Sequence, residues 1–224
     1  SFGSHTSRFA HFSSLAGSRT DRGLERVDIP VLHSQSASFS GFSSLLFNPS
    51  TLNQLRVVNS FRKDHYQVPN TVEQHRLGIR DVEKATDGFS NFTWVRTFPS
   101  GALLTVSPYY HYNQGQYIGG PNDPLITTDD RRSHYIGGYV NMAVTRENHT
   151  ARFGTDTFAE HDNSLFGLRA NDATRLSLTQ TEKLWANVAA LYAEDSVRIT
   201  PWLTFNGGLR YQRFSGTITE DALT

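Results

Sequence analysis

The sequence predicts an all-β chain: an antiparallel up-and-down meander of about nine long strands forming part of a transmembrane β-barrel. Three observations carry this expectation. In the stretch 203–212, Leu203, Phe205, Gly207, Leu209 and Tyr211 alternate with Thr204, Asn206, Gly208, Arg210 and Gln212. This is the period-2 pattern of a strand with one apolar and one polar face. The candidate strands mostly run 10–15 residues, where globular strands average about 5–6 and a tilted membrane strand needs about 9–11. Long and short connections alternate along the chain, as they do when a barrel gathers its turns at one rim and its extended loops at the other.

Taken in order, the strands are expected at about 5–16, 36–47, 54–67, 87–98, 102–114, 134–145, 150–163, 183–198 and 203–215. Asn48–Asn53, Pro99–Gly101, Arg146–His149 and Ile199–Trp202 read as tight turns, rich in Pro, Gly and Asn. The segments 17–35, 68–86, 115–133 and 164–182 read as long loops. Within the second of these, Thr71 followed by Gln74 has the spacing of a capping box. A short helix is therefore expected within 71–83, with Val72, Ile79 and Val82 sharing part of a face and Gly78 weakening it.

The apolar band is expected to comprise Leu104, Val106, Tyr110 and Tyr112, then Val140, Met142 and Val144, then Leu203, Phe205, Leu209 and Tyr211. These should face lipid. Asn113, Asn141, Asn206, Arg210 and Gln212 should face the lumen. Strand 54–67 sets Leu55, Val57 and Phe61 against Arg56, Ser60, Arg62 and Asp64. Strand 183–198 carries apolar residues on both parities (Trp185, Leu191 and Val197 against Val188, Ala190 and Tyr192), which a β-bulge would reconcile.

Composition bounds the function. The formal net charge is zero, with 21 basic and 21 acidic residues, which argues against a dedicated nucleic-acid binder. Cysteine is absent, so thiolate metal sites, disulfides and cysteine nucleophiles are excluded. Mean hydropathy is −0.46, and no run of about 18 apolar residues suggests a membrane helix; a barrel escapes that test because only alternate residues meet lipid. The chain starts at Ser1 without a signal-peptide pattern and stops in a polar segment, so it reads as a piece of something longer. With strands 5–16 and 203–215 at its edges, it is expected to form an open curved sheet that does not act alone as a transporting pore.

No nucleotide-binding, zinc-protease, EF-hand or serine-hydrolase motif occurs. Glu160-His161-Asp162-Asn163 has metal-ligand chemistry, but neighbouring strand residues point to opposite faces, so a solvated strand end is the favoured reading. Asp129-Asp130-Arg131-Arg132 reads as a self-compensating loop cluster, and Gly119 to Pro124 as a turn. No catalytic, metal or cofactor residues are expected, and the chain is not expected to be an enzyme.

The stretch ALYAEDSVRITPWLTFNGGLRYQRFSG, from Ala190 to Gly216, resembles a strand pair of TonB-dependent outer-membrane receptor barrels. The stretches 61–71, 91–98, 119–123 and Gly17 to Leu24 are similar to the same family in order along the chain. The resemblance implies residence in the bacterial outer membrane and a barrel of about 22 strands around an N-terminal plug. Residues 1–224 would then be one segment of that barrel domain, without the plug, a signal peptide or the C-terminal barrel strand. It implies capture of a scarce nutrient (ferric siderophore, cobalamin or oligosaccharide) and its energised import. The partners would be outer-membrane lipid, TonB acting through the plug, and the small nutrient. Ligand contacts in that family come from variable outer loops and the plug, so none transfers to a residue here. A soluble or secreted carbohydrate-binding β-sandwich and a passive porin-type barrel are the alternatives.

Overall fold

The structure is a computed structural model that describes residues 1–21, 32–172 and 177–223. Residues 22–24 of the Gly17–Leu24 stretch, and parts of the long segments 17–35 and 164–182, fall outside that set.

The strands form one antiparallel sheet in which each pairs with its sequence neighbours, β1 through β10 in order. They are β1 (Phe2–His5), β2 (Phe9–Thr20), β3 (Ser36–Ser50), β4 (Asn53–Gln67), β5 (Val82–Thr97), β6 (Leu103–Ile118), β7 (Leu125–Arg146), β8 (His149–Ala170), β9 (Ser177–Thr200) and β10 (Leu203–Leu223). This is the expected meander, with no crossover. Among the described residues no pairing joins β1 to β10, so the sheet is open. Among the described residues no second sheet covers either face. The buried apolar residues among them are few: Ala102, Ile126, Ala186 and Ala190.

Within the strands the sequence reading differs from the structure in three places, each with a physical reason. The expected first strand is two, because Thr6 folds a turn: its Oγ1 accepts from the Phe9 amide at 3.1 Å. The later strands are much longer than expected. β7 and β8 have 22 residues each and β9 has 24, about 70–80 Å at roughly 3.3 Å per residue. Their outer halves carry Asp129 to Arg132, Ser164 to Ala170 and Ser177 to Glu182, where alternation fades. Ladder hydrogen bonds join backbone groups and continue whatever the side chains, whereas the apolar pattern stops where both faces meet water. Third, the stretch of β9 where the sequence called for a bulge has none. Over 183–197 its register with β8 runs unbroken; the irregularity lies at the tight turn, where Leu203 faces Thr200 and Thr204 faces Arg198, leaving Ile199 unpaired. Apolar residues simply occupy both faces, with Ala186 and Ala190 buried on one while Trp185 and Leu191 are exposed on the other.

The four tight turns lie where expected. Gly101 takes φ 82° and Glu147 φ 55°, left-handed conformations that reverse the chain in few residues. The capping box also forms. Thr71 Oγ1 accepts from the Gln74 amide at 3.2 Å, and Gln74 Oε1 accepts from the Thr71 amide at 2.8 Å. Helix α1 (Val72–Arg76) has only five residues. It ends before Gly78, whose φ of 77° no helix accommodates, so the extended face with Ile79 and Val82 does not form.

Candidate functional site at the long-loop rim

Residues directly opposite one another across a ladder share a face, so the registers sort every strand residue. Leu104, Met142, Phe153, Ala193 and Leu209 form one row, and Val106, Val140, Thr155, Leu191 and Tyr211 the next. Tyr110 and Tyr112 continue this face towards the long loops; Val144 and Phe205 continue it towards the tight turns. Leu203 sits apart, opposite Thr200 across the register shift. Sequence reading missed other members of the face. Leu15, Phe39, Phe47, Phe92 and Phe153 lie on it, each at least 40% exposed. Their signal was the same alternation, obscured by interspersed Ser, Gly and Asn. Phe61 joins them as its strand's alternation predicted, and the registers place Trp185 and Leu191, whose face the sequence left open, on it too.

The opposite face is polar and braced. Asn141 and Arg210 share a row with Gly154 and Tyr192. Asn141 Nδ2 donates to the Tyr192 hydroxyl across Gly154, and Arg210 reaches Asp156 at 3.4 Å. His111 bonds Asp87 at 2.7 Å and stacks on Tyr135 with ring centroids 5.5 Å apart. Asn113 lies on the His111 face of β6, Asn206 opposite Ser196, and Gln212 opposite Ala190.

Glu160 to Asn163 are not a strand end. They lie within β8, with Glu160 and Asp162 on the polar face and His161 stacked at 3.8 Å on Trp185 on the other. The pleat thus separates the residues a metal site would need, and no group of three or more metal-ligating side chains occurs among the described residues. The Asp129–Arg131 and Asp130–Arg132 pairs, at 2.7 and 2.6 Å, neutralise themselves within β7 rather than in a loop.

All the long connections leave the sheet at one end, and they are knitted together there. Leu32 and Asn70 exchange backbone hydrogen bonds, joining the β2–β3 and β4–β5 loops, and the Asn171 amide donates to Pro124 at 3.2 Å, joining β8–β9 to β6–β7. Asn122 Nδ2 donates to the Gly78 carbonyl at 3.2 Å. A Cβ on Gly120 would stand 2.7 Å from the Arg80 amide nitrogen, so only glycine allows the two loops this approach.

At the centre of this contact the Gly120 amide is shared by Asp81 Oδ1 and Asp123 Oδ2, both at 2.8 Å, and the Tyr117 hydroxyl donates to Asp81 at 2.6 Å. Asp123 is 7% exposed, and its Oδ1 has no hydrogen-bond partner among the described residues. Burial, then the hydrogen bond and charge of Asp81, push the Asp123 carboxyl up to about 6. Burial opposes ionisation of Asp81 too. Hydrogen bonds from Tyr117, Asp123 and Gly120, with His33 nearby, nevertheless hold it below its ordinary value. A raised carboxyl favours the closed loops in its protonated form. That contribution is complete below the ordinary Asp range and is lost as pH rises through about 6. Asp81 stays ionised across the window. Amide hydrogen exchange over 117–127, corrected for intrinsic pH effects, is expected to slow about 10-fold or more between pH 7 and pH 4.5. Asp123→Asn should remove that dependence, since its amide donates to Asp81 at every pH; equal pH dependence in both proteins would contradict the shared-proton clasp.

No family model and no curated protein matches the sequence. Solved structures match the fold. The ferric yersiniabactin uptake receptor FyuA from Yersinia pestis superposes with a TM-score of 0.74 at 10% identity, over 96% of this chain and 36% of that one. The ferric citrate transporter FecA, unliganded, gives 0.72 at 11% identity over 99% and 36%. The open form of the ferric-catecholate import receptor Fiu from E. coli K12 gives 0.71 at 13% identity over 96% and 42%. The chain spans less than half the length of each of these. It has the fold of an outer-membrane receptor barrel wall, the fold the sequence resemblance implied.

Proposed function

We propose that this chain is a segment of the barrel of a TonB-dependent outer-membrane receptor, and that the whole protein captures a scarce nutrient at its outer loops for energised import. The segment contributes three parts. Its apolar face, from Leu104 and Val106 to Leu209 and Tyr211, meets outer-membrane lipid; its polar face, with Asn113, Asn141, Asn206, Arg210 and Gln212, lines the lumen. Its knitted rim belongs to the capture surface. TonB would act through a plug contributed by another part of the protein. The nutrient class is open among ferric siderophore, cobalamin and oligosaccharide. The role is binding and gating, not bond chemistry.

The observation that carries this reading is the ten-strand meander with every long loop at one end, which matches receptor barrels over nearly the whole chain. A carbohydrate-binding sandwich needs a second sheet against the apolar face, and the described residues form a single sheet. The test is uptake by cells carrying the full-length protein. Saturable, high-affinity accumulation of one ferric siderophore, cobalamin or oligosaccharide, abolished by deleting TonB while surface binding persists, is expected. Non-saturable, TonB-independent passage of small solutes would point instead to a passive pore.

A further inference from the structure

Near the long loops the polar face of β4 to β7 ends in two rows. Asp64, Ala85, Gly115 and Arg131 form one, and Tyr66, Glu83, Tyr117 and Asp129 the next. Ala85 and Gly115 are small, and a Cβ built on Gly115 meets nothing within 4 Å. Taller side chains stand around them, so the wall sinks into a recess of about 310 Å³. Tyr66 and Tyr117 flank it with Glu83 between them, and Asp129 and Arg131 close one side. Lys84 and Gln116 also border it, but the pleat turns their side chains to the other face, where Gln116 donates to Asp130 at 3.0 Å.

Most charges on this wall are paired. Outward of the His111 row, the cations on the polar face of β4 to β7 are Arg62 and Arg131. Arg62 meets Asp64 at 2.7 Å, and Arg131 meets Asp129 at 2.7 Å. Asp87 bonds His111 at 2.7 Å, and the Tyr117 hydroxyl is tied to Asp81. Glu83 differs. It is exposed, and no hydrogen bond or ion pair among the described residues engages its carboxylate.

An unpaired carboxylate between two aromatic rings, on a wall with no free guanidinium, has the chemistry of a cation site. Strands lie about 4.8 Å apart, so Tyr66 and Tyr117 stand about 9–10 Å from each other across β5. A cation midway between them is within the roughly 6 Å over which an aromatic ring attracts it. We propose that this recess takes a positively charged organic group of the nutrient, an ammonium, between Tyr66 and Tyr117 with Glu83 as its counter-charge. The inference rests on the reading that this rim is a receptor's capture surface, and it narrows the nutrient to one that bears a cationic group. Charge selects the occupant. An anionic chelate would find no free cation on this wall, and a neutral sugar would bring no charge to balance Glu83.

The test is saturation-transfer difference NMR of the full-length protein in detergent at low ionic strength, with n-butylammonium, n-butanol, butyrate or methyl glucoside as the probe. Butylammonium should bind saturably and about fivefold more tightly than the other three. Glu83→Gln should weaken it about fivefold, and Tyr66→Leu about threefold through loss of one ring. Gly115→Val fills the open space and leaves every charge in place. It should weaken butylammonium as much as Glu83→Gln does, with gel mobility showing the barrel still folded. Butanol or butyrate binding as tightly as butylammonium would overturn the proposal, as would butylammonium binding unchanged in Glu83→Gln and Gly115→Val. Methyl glucoside binding more tightly than butylammonium, and lost in Gly115→Val, would also overturn it, leaving a sugar recess. TonB-dependent uptake in the same variants is a separate readout. Uptake without butylammonium binding removes this inference alone; Glu83-dependent binding without uptake removes the receptor reading and leaves the cation site.

Discussion

Leu191→Arg is expected to destabilise the protein in a bilayer by about 2–4 kcal/mol, the cost of a cationic side chain at the midplane of a barrel's lipid face. Leu191 is 62% exposed, in the row that joins Val106, Val140, Thr155 and Tyr211. In water so exposed a residue would tolerate the change within about 0.5 kcal/mol. The two environments therefore give opposite answers for one substitution. Denaturant titration of the vesicle-inserted full-length protein measures it. A change under about 0.5 kcal/mol would mean that this face does not meet hydrocarbon.

Gly154→Leu should cost a similar amount for a steric reason. A Cβ at Gly154 would collide with the Val140 carbonyl oxygen of the neighbouring strand, and it would stand 2.8 Å from the Tyr192 hydroxyl. Tyr192 crosses this glycine to meet Asn141, an aromatic ring lying over a strand glycine. Leucine must push the ring aside and distort the β7–β8 ladder. Overpacking of this kind costs about 1–3 kcal/mol, and loss of the Asn141–Tyr192 bond adds about 1. Tyr192→Phe isolates the second part: it should cost about 1 kcal/mol in the same titration. If Gly154→Leu were no worse than Tyr192→Phe, the close approach would not be a constraint on the sheet.

What the sequence showed, and what it hid, follows from where alternation has physical force. Between the tight turns and the aromatic row of Tyr112, His134, His161 and Trp185, one face is apolar and the other polar. On β6, β7 and β10 the two faces were legible there residue by residue, whereas β9, with apolar residues on both faces, was not. Beyond that row Gln114, Arg132, Asn163 and Lys183 stand on the apolar side's continuation. The pattern therefore suggested loops where the backbone ladder persists. The capping box at Thr71 and Gln74 was visible because its two hydrogen bonds are local. The Asp81–Gly120–Asp123 contact was not, because it joins positions 39 residues apart through a backbone amide, which no side-chain motif records. Glu160 to Asn163 looked like a strand end for the same reason that the rim looked like loops: local polarity was read as solvent, although the residues are divided between two faces of a continuous strand.

The central claim is that this sheet is a membrane wall with lipid on one face and an aqueous lumen on the other. The chain has no cysteine, so single cysteines can be placed at each position from 139 to 144 in the full-length protein and spin-labelled in vesicles. Collision with molecular oxygen should peak at 140, 142 and 144, and collision with a water-soluble nickel chelate at 139, 141 and 143, a clean period of two. Labels at Val140 and Met142 that collide with the nickel chelate as readily as one at Asn141 would contradict the claim.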